Sequence, residues 1–116
     1  MVSLLKERIE MQNRERMAPL IIVDYYEALK ELMTGLLLMD GFKTLNHQTL
    51  IEYVGEFTEM RGYEVTLLDE LRIMRNRVSY DGFSADPSYL VRREGDFKAI
   101  MGKLKGLVEK RFNSGH

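Results

Sequence analysis

The segment from Leu20 to Met39 constrains this chain more than any other. It is the most apolar stretch, and its length is about that of a membrane span, roughly 20 residues. Asp24, Glu27, Lys30 and Glu31 lie inside it, and each such charge is costly at mid-bilayer. The segment must therefore bury itself in protein. Tyr25, Tyr26, Leu29, Leu32, Met33, Leu36 and Leu37 recur at helical spacing, which predicts the central helix of a bundle with no membrane association. Asp40-Gly41 should end it, because Gly takes the left-handed cap conformation without strain.

The remaining segments read as helices too. Residues 2 to about 17 form a first one, with Leu5, Ile9 and Gln12 on one side. Pro19 should end it or start the next, since it disfavours helical geometry at the residue before it. Asn46 is placed to cap a helix with His47 at its first position. Leu50, Tyr53, Val54, Phe57 and Met60 carry that helix to about Arg61-Gly62-Tyr63. Thr66 and Asp69 resemble a capping box that opens a fourth helix, running to about Gly82 or Phe83. Asp86-Pro87 starts a fifth, whose apolar positions are Leu90, Phe97, Ile100 or Met101, Leu104, Leu107 or Val108, and Phe112. Gly95, Gly102 and Gly106 each weaken it by about 1 kcal/mol relative to Ala. Close packing, a break near Gly95, or both would explain them. Asn113 to His116 reads as a frayed tail. No strand alternation, repeat or low-complexity segment interrupts this pattern. The expectation is a single domain over residues 1–116: an all-α, antiparallel up-and-down bundle of four long helices plus an additional helix.

Composition narrows the function classes. A net charge of −1 over 116 residues does not mark a strongly basic nucleic-acid module. The basic residues are clustered, however, at Arg72, Arg75 and Arg77 and at Arg92 and Arg93. The absence of Cys excludes disulfides and thiolate zinc sites and fits a cytoplasmic protein. Two His residues, one of them C-terminal, give no dedicated metal site, and no cofactor is expected.

The fourth helix carries the densest chemistry. Leu67, Leu71, Met74 and Val78 share one face, the spacing of a buried stripe. Ile73, Asn76, Tyr80 and Phe83 lie nearly opposite, with Arg72, Arg75 and Ser79 between. A second apolar face calls for a partner or a ligand, and a homodimer through Ile73, Asn76, Tyr80 and Phe83 is expected.

Arg75-Asn76, within the fourth helix of a small all-helical domain, resembles the motif of the HEPN family. That family's signature is an Arg, a polar residue and then a His, written R-x(4–6)-H. The aromatic-rich run Asp24 to Lys30 and the link Gly41 to His47 also match. The resemblance covers most of the chain. It implies a four-helix up-and-down bundle, usually with an extra short helix. It also implies either a metal-independent ribonuclease, often a toxin paired with an antitoxin such as a minimal nucleotidyltransferase, or a non-catalytic binding module. Nuclease members pair so that two motifs face one cleft. Arg75 and Asn76 carry over directly. The motif His does not, because Tyr80 stands in its place. Gly82 stands where some toxins carry a nucleotidylated Tyr, so that regulation does not transfer.

The resemblance makes Arg75, Asn76 and Tyr80 the candidate catalytic residues, with Arg72, Arg75, Arg77 and Ser79 for RNA or phosphate binding. Each has a structural alternative. Arg75 can hold a phosphate or pair with Asp24 or Glu27. Asn76 can orient a phosphate or ribose, or fix helix packing. Tyr80 can stack a base or pack at an interface. His47 can be a displaced general base or a surface or capping residue. The expected function is an RNA- or nucleotide-binding or regulatory module, dimeric and catalytically weak. The alternatives are an endoribonuclease toxin and a purely structural interaction domain.

Overall fold

The computed structural model describes residues 2–44, 46–81 and 87–114, with the side chains of residues 6, 8, 16–44, 46–78 and 87–114. The chain is all-helical: α1 (Val2–Met39), α2 (His47–Gly55), α3 (Gly62–Asp81) and α4 (Pro87–Ser114). The expected all-helical bundle is present with four helices in place of five, and α1 is its centre, packing against each of the other three.

The first two expected helices are one. α1 runs 38 residues with Pro19 inside it. At 1.5 Å per residue this is about 57 Å of helix, close to the 55 Å long axis of the molecule, so Pro19 does not fold the chain back. An internal Pro costs about 3 kcal/mol. Ala18 and Ile22, both fully buried on either side of it, supply packing that offsets this cost and holds the helix through the site.

Contacts at both ends fix the helix directions. Tyr25 meets Glu94 and Phe97 on α4, and Asp40 pairs with Arg111, so α4 runs parallel to α1. The Tyr26 ring faces His47 at the start of α2, while Arg111 lies over Phe57 just past its end. Hence α2 also follows the direction of α1. α3 supplies the antiparallel partner: Glu64 in its first turn pairs with Lys103 late in α4, and Arg75 pairs with Glu27 of α1. The link after α1 must therefore travel back down that helix, and it does so in the residues leading to Asn46.

The caps explain the boundaries. Gly41 has φ 89°, and the N–H groups of Gly41 and Phe42 donate to the carbonyls of Leu38 and Leu37. This is the paired bond pattern that closes a helix on a left-handed Gly. Asn46 caps α2 as expected, its side chain accepting from the Gln48 and Thr49 N–H groups at 2.9 and 3.2 Å. α2 is shorter than expected. From Glu56 onward the backbone turns to three-residue bonds, Glu56 to Tyr53, Phe57 to Val54 and Met60 to Phe57, which tighten the chain out of the α pattern. α3 opens at Gly62, earlier than Thr66. The Thr66 hydroxyl instead donates back to the Gly62 carbonyl, and Glu64 does the capping by accepting from the Arg61 N–H at 2.9 Å.

The core is built from helix stripes, but Leu68 joins it on α3 while Met74 and Val78 of the expected stripe, and Tyr25 and Leu32 of α1, are only half-buried. Tyr26, Leu29, Met33 and Leu36 of α1, Leu68 and Leu71 of α3, and Phe97, Ile100 and Leu104 of α4 are fully or almost fully buried. Phe112 is not in the core; it is 60% exposed. α4 runs unbroken past Gly95, and a Cβ at Gly95, Gly102 or Gly106 would meet nothing within 4 Å. Neither a break nor close packing within the chain explains these glycines. They lie on the outer face of a helix held by its buried stripe. Residues Asn113 and Ser114 belong to α4, with the Ser114 hydroxyl donating to the Lys110 carbonyl.

Candidate functional site

Glu27 is the hub of a polar cluster where α1, α2 and α3 meet. Arg75 donates to its Oε1 through Nη2 at 2.9 Å and Nε at 3.1 Å, and Lys30 Nζ lies 2.6 Å from Oε2. The pair Glu27 and Lys30 is three residues apart, the spacing that puts side chains on one helix face. Lys30 and Arg75 hold the Glu27 carboxyl below its ordinary value. Arg75 Nη1 also reaches Asn76 Oδ1 at 3.4 Å. One turn earlier on α3, Arg72 pairs with Asp69 at 2.9 Å. Three cations thus converge on two carboxylates.

Two further groups complete the cluster. His47, at the first position of α2, has its ring centroid 5.7 Å from that of Tyr26. Burial lowers its basicity, and Lys30 and Arg75 add to the effect, so the imidazole is neutral at pH 7. Tyr26 is fully buried, and its hydroxyl has no hydrogen-bond partner. Burial pushes this phenol up to about 12, against the opposing pull of Arg72 and Arg75. A buried hydroxyl without a partner costs about 1–3 kcal/mol.

The sequence-derived residues divide accordingly. Arg72, Arg75 and Asn76 come together, and Glu27 is the Arg75 partner, one of the two carboxylates anticipated. Asp24, the other, is exposed. His47 joins the same cluster from α2. Arg77 is exposed on α3. Leu67 and Leu71 are buried, Met74 and Val78 are half-buried, and Ile73 is 46% exposed. The side chains of Ser79 and Tyr80, and all of Phe83, lie outside the described residues. Tyr26 and Lys30 were missed as site residues. Their signal was polar groups inside the most apolar segment of the chain.

Among the described residues no helix is long and apolar enough to cross a membrane. No family model matches the chain, and no curated protein or solved structure matches it either.

Proposed function

We propose that the chain is a HEPN-like module that binds RNA or a nucleotide through its phosphate, acts as a homodimer through α3, and cleaves RNA weakly at most. The observation that supports this reading is the convergence of Lys30, Arg72 and Arg75 beside a neutral His47 and the unpartnered Tyr26 hydroxyl. Guanidinium groups match phosphate oxygens in a bidentate fork. The pairing of Arg75 with Glu27 is equally what a purely structural role needs, so the decisive variant is Arg75→Ala.

Binding of a single-stranded oligoribonucleotide, read by fluorescence anisotropy, is expected to fall steeply with salt, because phosphate contacts release counterions. Arg75→Ala should weaken it about tenfold and flatten the salt slope. The ion pair is partly solvated, with side chains 22% and 32% exposed, so its loss should cost only about 1 kcal/mol of stability. A large fall in melting temperature with unchanged RNA binding would make Arg75 a structural residue.

The dimer has its own test. Ile73 is exposed on α3, and Asn76 is half-buried beside Arg75. The two Asn76 side chains should face each other near a two-fold axis. The native chain should be dimeric in light scattering at tens of micromolar, and Phe83→Asp should give monomers. A monomeric native chain would end the two-faced reading of α3.

A second reading, a metal-independent endoribonuclease of the toxin type, is favoured by one observation: a neutral imidazole, His47, sits with Arg75 in the same cluster. An antitoxin-like or nucleotidyltransferase partner belongs to that reading.

A further inference from the structure

Three described Tyr hydroxyls are buried without a hydrogen-bond partner: those of Tyr26, Tyr53 and Tyr89. Tyr53 sits between Phe42 and Phe57 in an aromatic cluster. Tyr89 lies near the Glu70 carboxylate. Tyr89 also has Arg92 and Arg93 nearby, whereas Tyr26 lies beside His47 with Arg72 and Arg75. We propose that Lys30, His47, Arg72, Arg75 and the Tyr26 hydroxyl form a site for a terminal phosphate, a phosphomonoester dianion carried by a nucleotide or by the end of an RNA strand. This rests on the reading of the cluster as a phosphate site and narrows it to one kind of phosphate.

The geometry favours a chain end over an internal linkage. The Tyr26 hydroxyl is a deep donor with no exposed surface. A phosphodiester has two esterified oxygens and must leave the site on both sides, so it rides over such a floor. A monoester has three terminal oxygens and enters end-on. Arg72 and Arg75 are about one-fifth exposed, so their guanidinium groups are within reach of a phosphate arriving from solvent. Arg72 gives up only an ion pair to Asp69 within its own helix. Arg75 exchanges Glu27 for the phosphate.

Charge points the same way. Beside His47 are Tyr26, Glu27 and Lys30 of α1 and Arg72 and Arg75 of α3, and Arg72 carries Asp69 as its partner. With the imidazole neutral, the excess there is a single positive charge. A dianion exceeds it, and protonation of His47 makes up the difference. Binding a monoester therefore draws a proton onto His47, whereas a singly charged diester does not require one.

The full chain holds only two His residues, His47 and His116, so the ring proton signals in NMR give a probe and an internal control. AMP is expected to move the His47 signal downfield at pH 7 and to leave His116 in place, while adenosine moves neither. A 5′-phosphorylated oligoribonucleotide should bind about tenfold more tightly than the same strand with a 5′-hydroxyl. AMP binding without that gain supports a free nucleotide as the ligand, and the gain supports strand ends. Tyr26→Phe should weaken AMP binding about fivefold while melting no lower than the native chain, because it removes an unpartnered hydroxyl. Equal binding of the two strands together with no effect of AMP on His47 would overturn the terminal-phosphate site and leave general RNA binding standing. Failure of every phosphate ligand to bind would overturn both. Unchanged AMP affinity in Tyr26→Phe would overturn the site as drawn.

Discussion

Lys103→Met is expected to destabilise the fold by about 3 kcal/mol at pH 7, the low end of what breaking a buried pair costs. Glu64 is the one described charged residue that is buried, its side chain 3% exposed, and Lys103 Nζ lies 2.6 Å from it. The same carboxylate accepts from the Arg61 N–H that opens α3. Burial pushes the Glu64 carboxyl up, but Lys103 and the Arg61 N–H outweigh it and hold it below its ordinary value. A depressed carboxyl contributes stability that is fully present above its unfolded value and is lost as pH falls through the folded one. In Lys103→Met, burial is opposed only by the Arg61 N–H and the Arg61 charge, and the balance moves upward. The deficit of the variant should therefore be large at pH 7 and shrink as pH falls below about 4.5, where the unfolded carboxyl also takes up its proton. Urea denaturation at pH 7 and pH 4 measures this. Replacing both partners, Glu64→Leu with Lys103→Met, should recover most of the loss, less the cap at Arg61, worth about 1 kcal/mol. A deficit that is small and independent of pH would mean that Glu64 keeps its water.

This ion pair also marks where sequence reading stopped. The stripes of α1, α3 and α4 were legible because burial enforces a 3.6-residue period, and the caps at Gly41 and Asn46 because each needs a particular residue type. Glu64 carries no periodic signal. Its burial follows from a lysine 39 positions away, which only the packing of both α3 and α4 on α1 brings near. Pro19 misled for a related reason. Its local cost is real, but Ala18 and Ile22 on either side of it are fully buried, and tertiary packing overrides a single-residue preference. At the site, Arg72, Arg75 and Asn76 were legible as a basic run on one helix. The joining of Lys30, Tyr26 and His47 to them was not, because the reversal between α1 and α2 sets the start of α2 beside the middle of α1, and no pattern along the chain encodes that return.

The same junction determines what to expect of catalysis. Metal-independent cleavage of RNA needs a base to take the 2′-hydroxyl proton and a cation to hold the developing charge on phosphorus. Arg75 can be the cation. On the proposed HEPN-like reading Tyr80 takes the place of the motif His, and it is a poor base: a phenol with a reference value of about 10 is ionised in only about one molecule in a thousand at pH 7. EDTA-resistant cleavage by the native chain is therefore expected to be weak, and Tyr80→His should raise it by about 10²–10³ by supplying a base that titrates near neutrality. His47 is the competitor within the cluster. Its imidazole is already neutral at pH 7, through burial and the charges of Lys30 and Arg75, and it accepts a proton reluctantly. The pH profile separates the two. A rate carried by Tyr80 climbs through the alkaline range toward pH 10 and is lost in Tyr80→Phe. A rate carried by His47 levels off below neutrality, survives Tyr80→Phe and is lost in His47→Gln. Brisk native cleavage with that second profile would make His47 the base and this chain a ribonuclease.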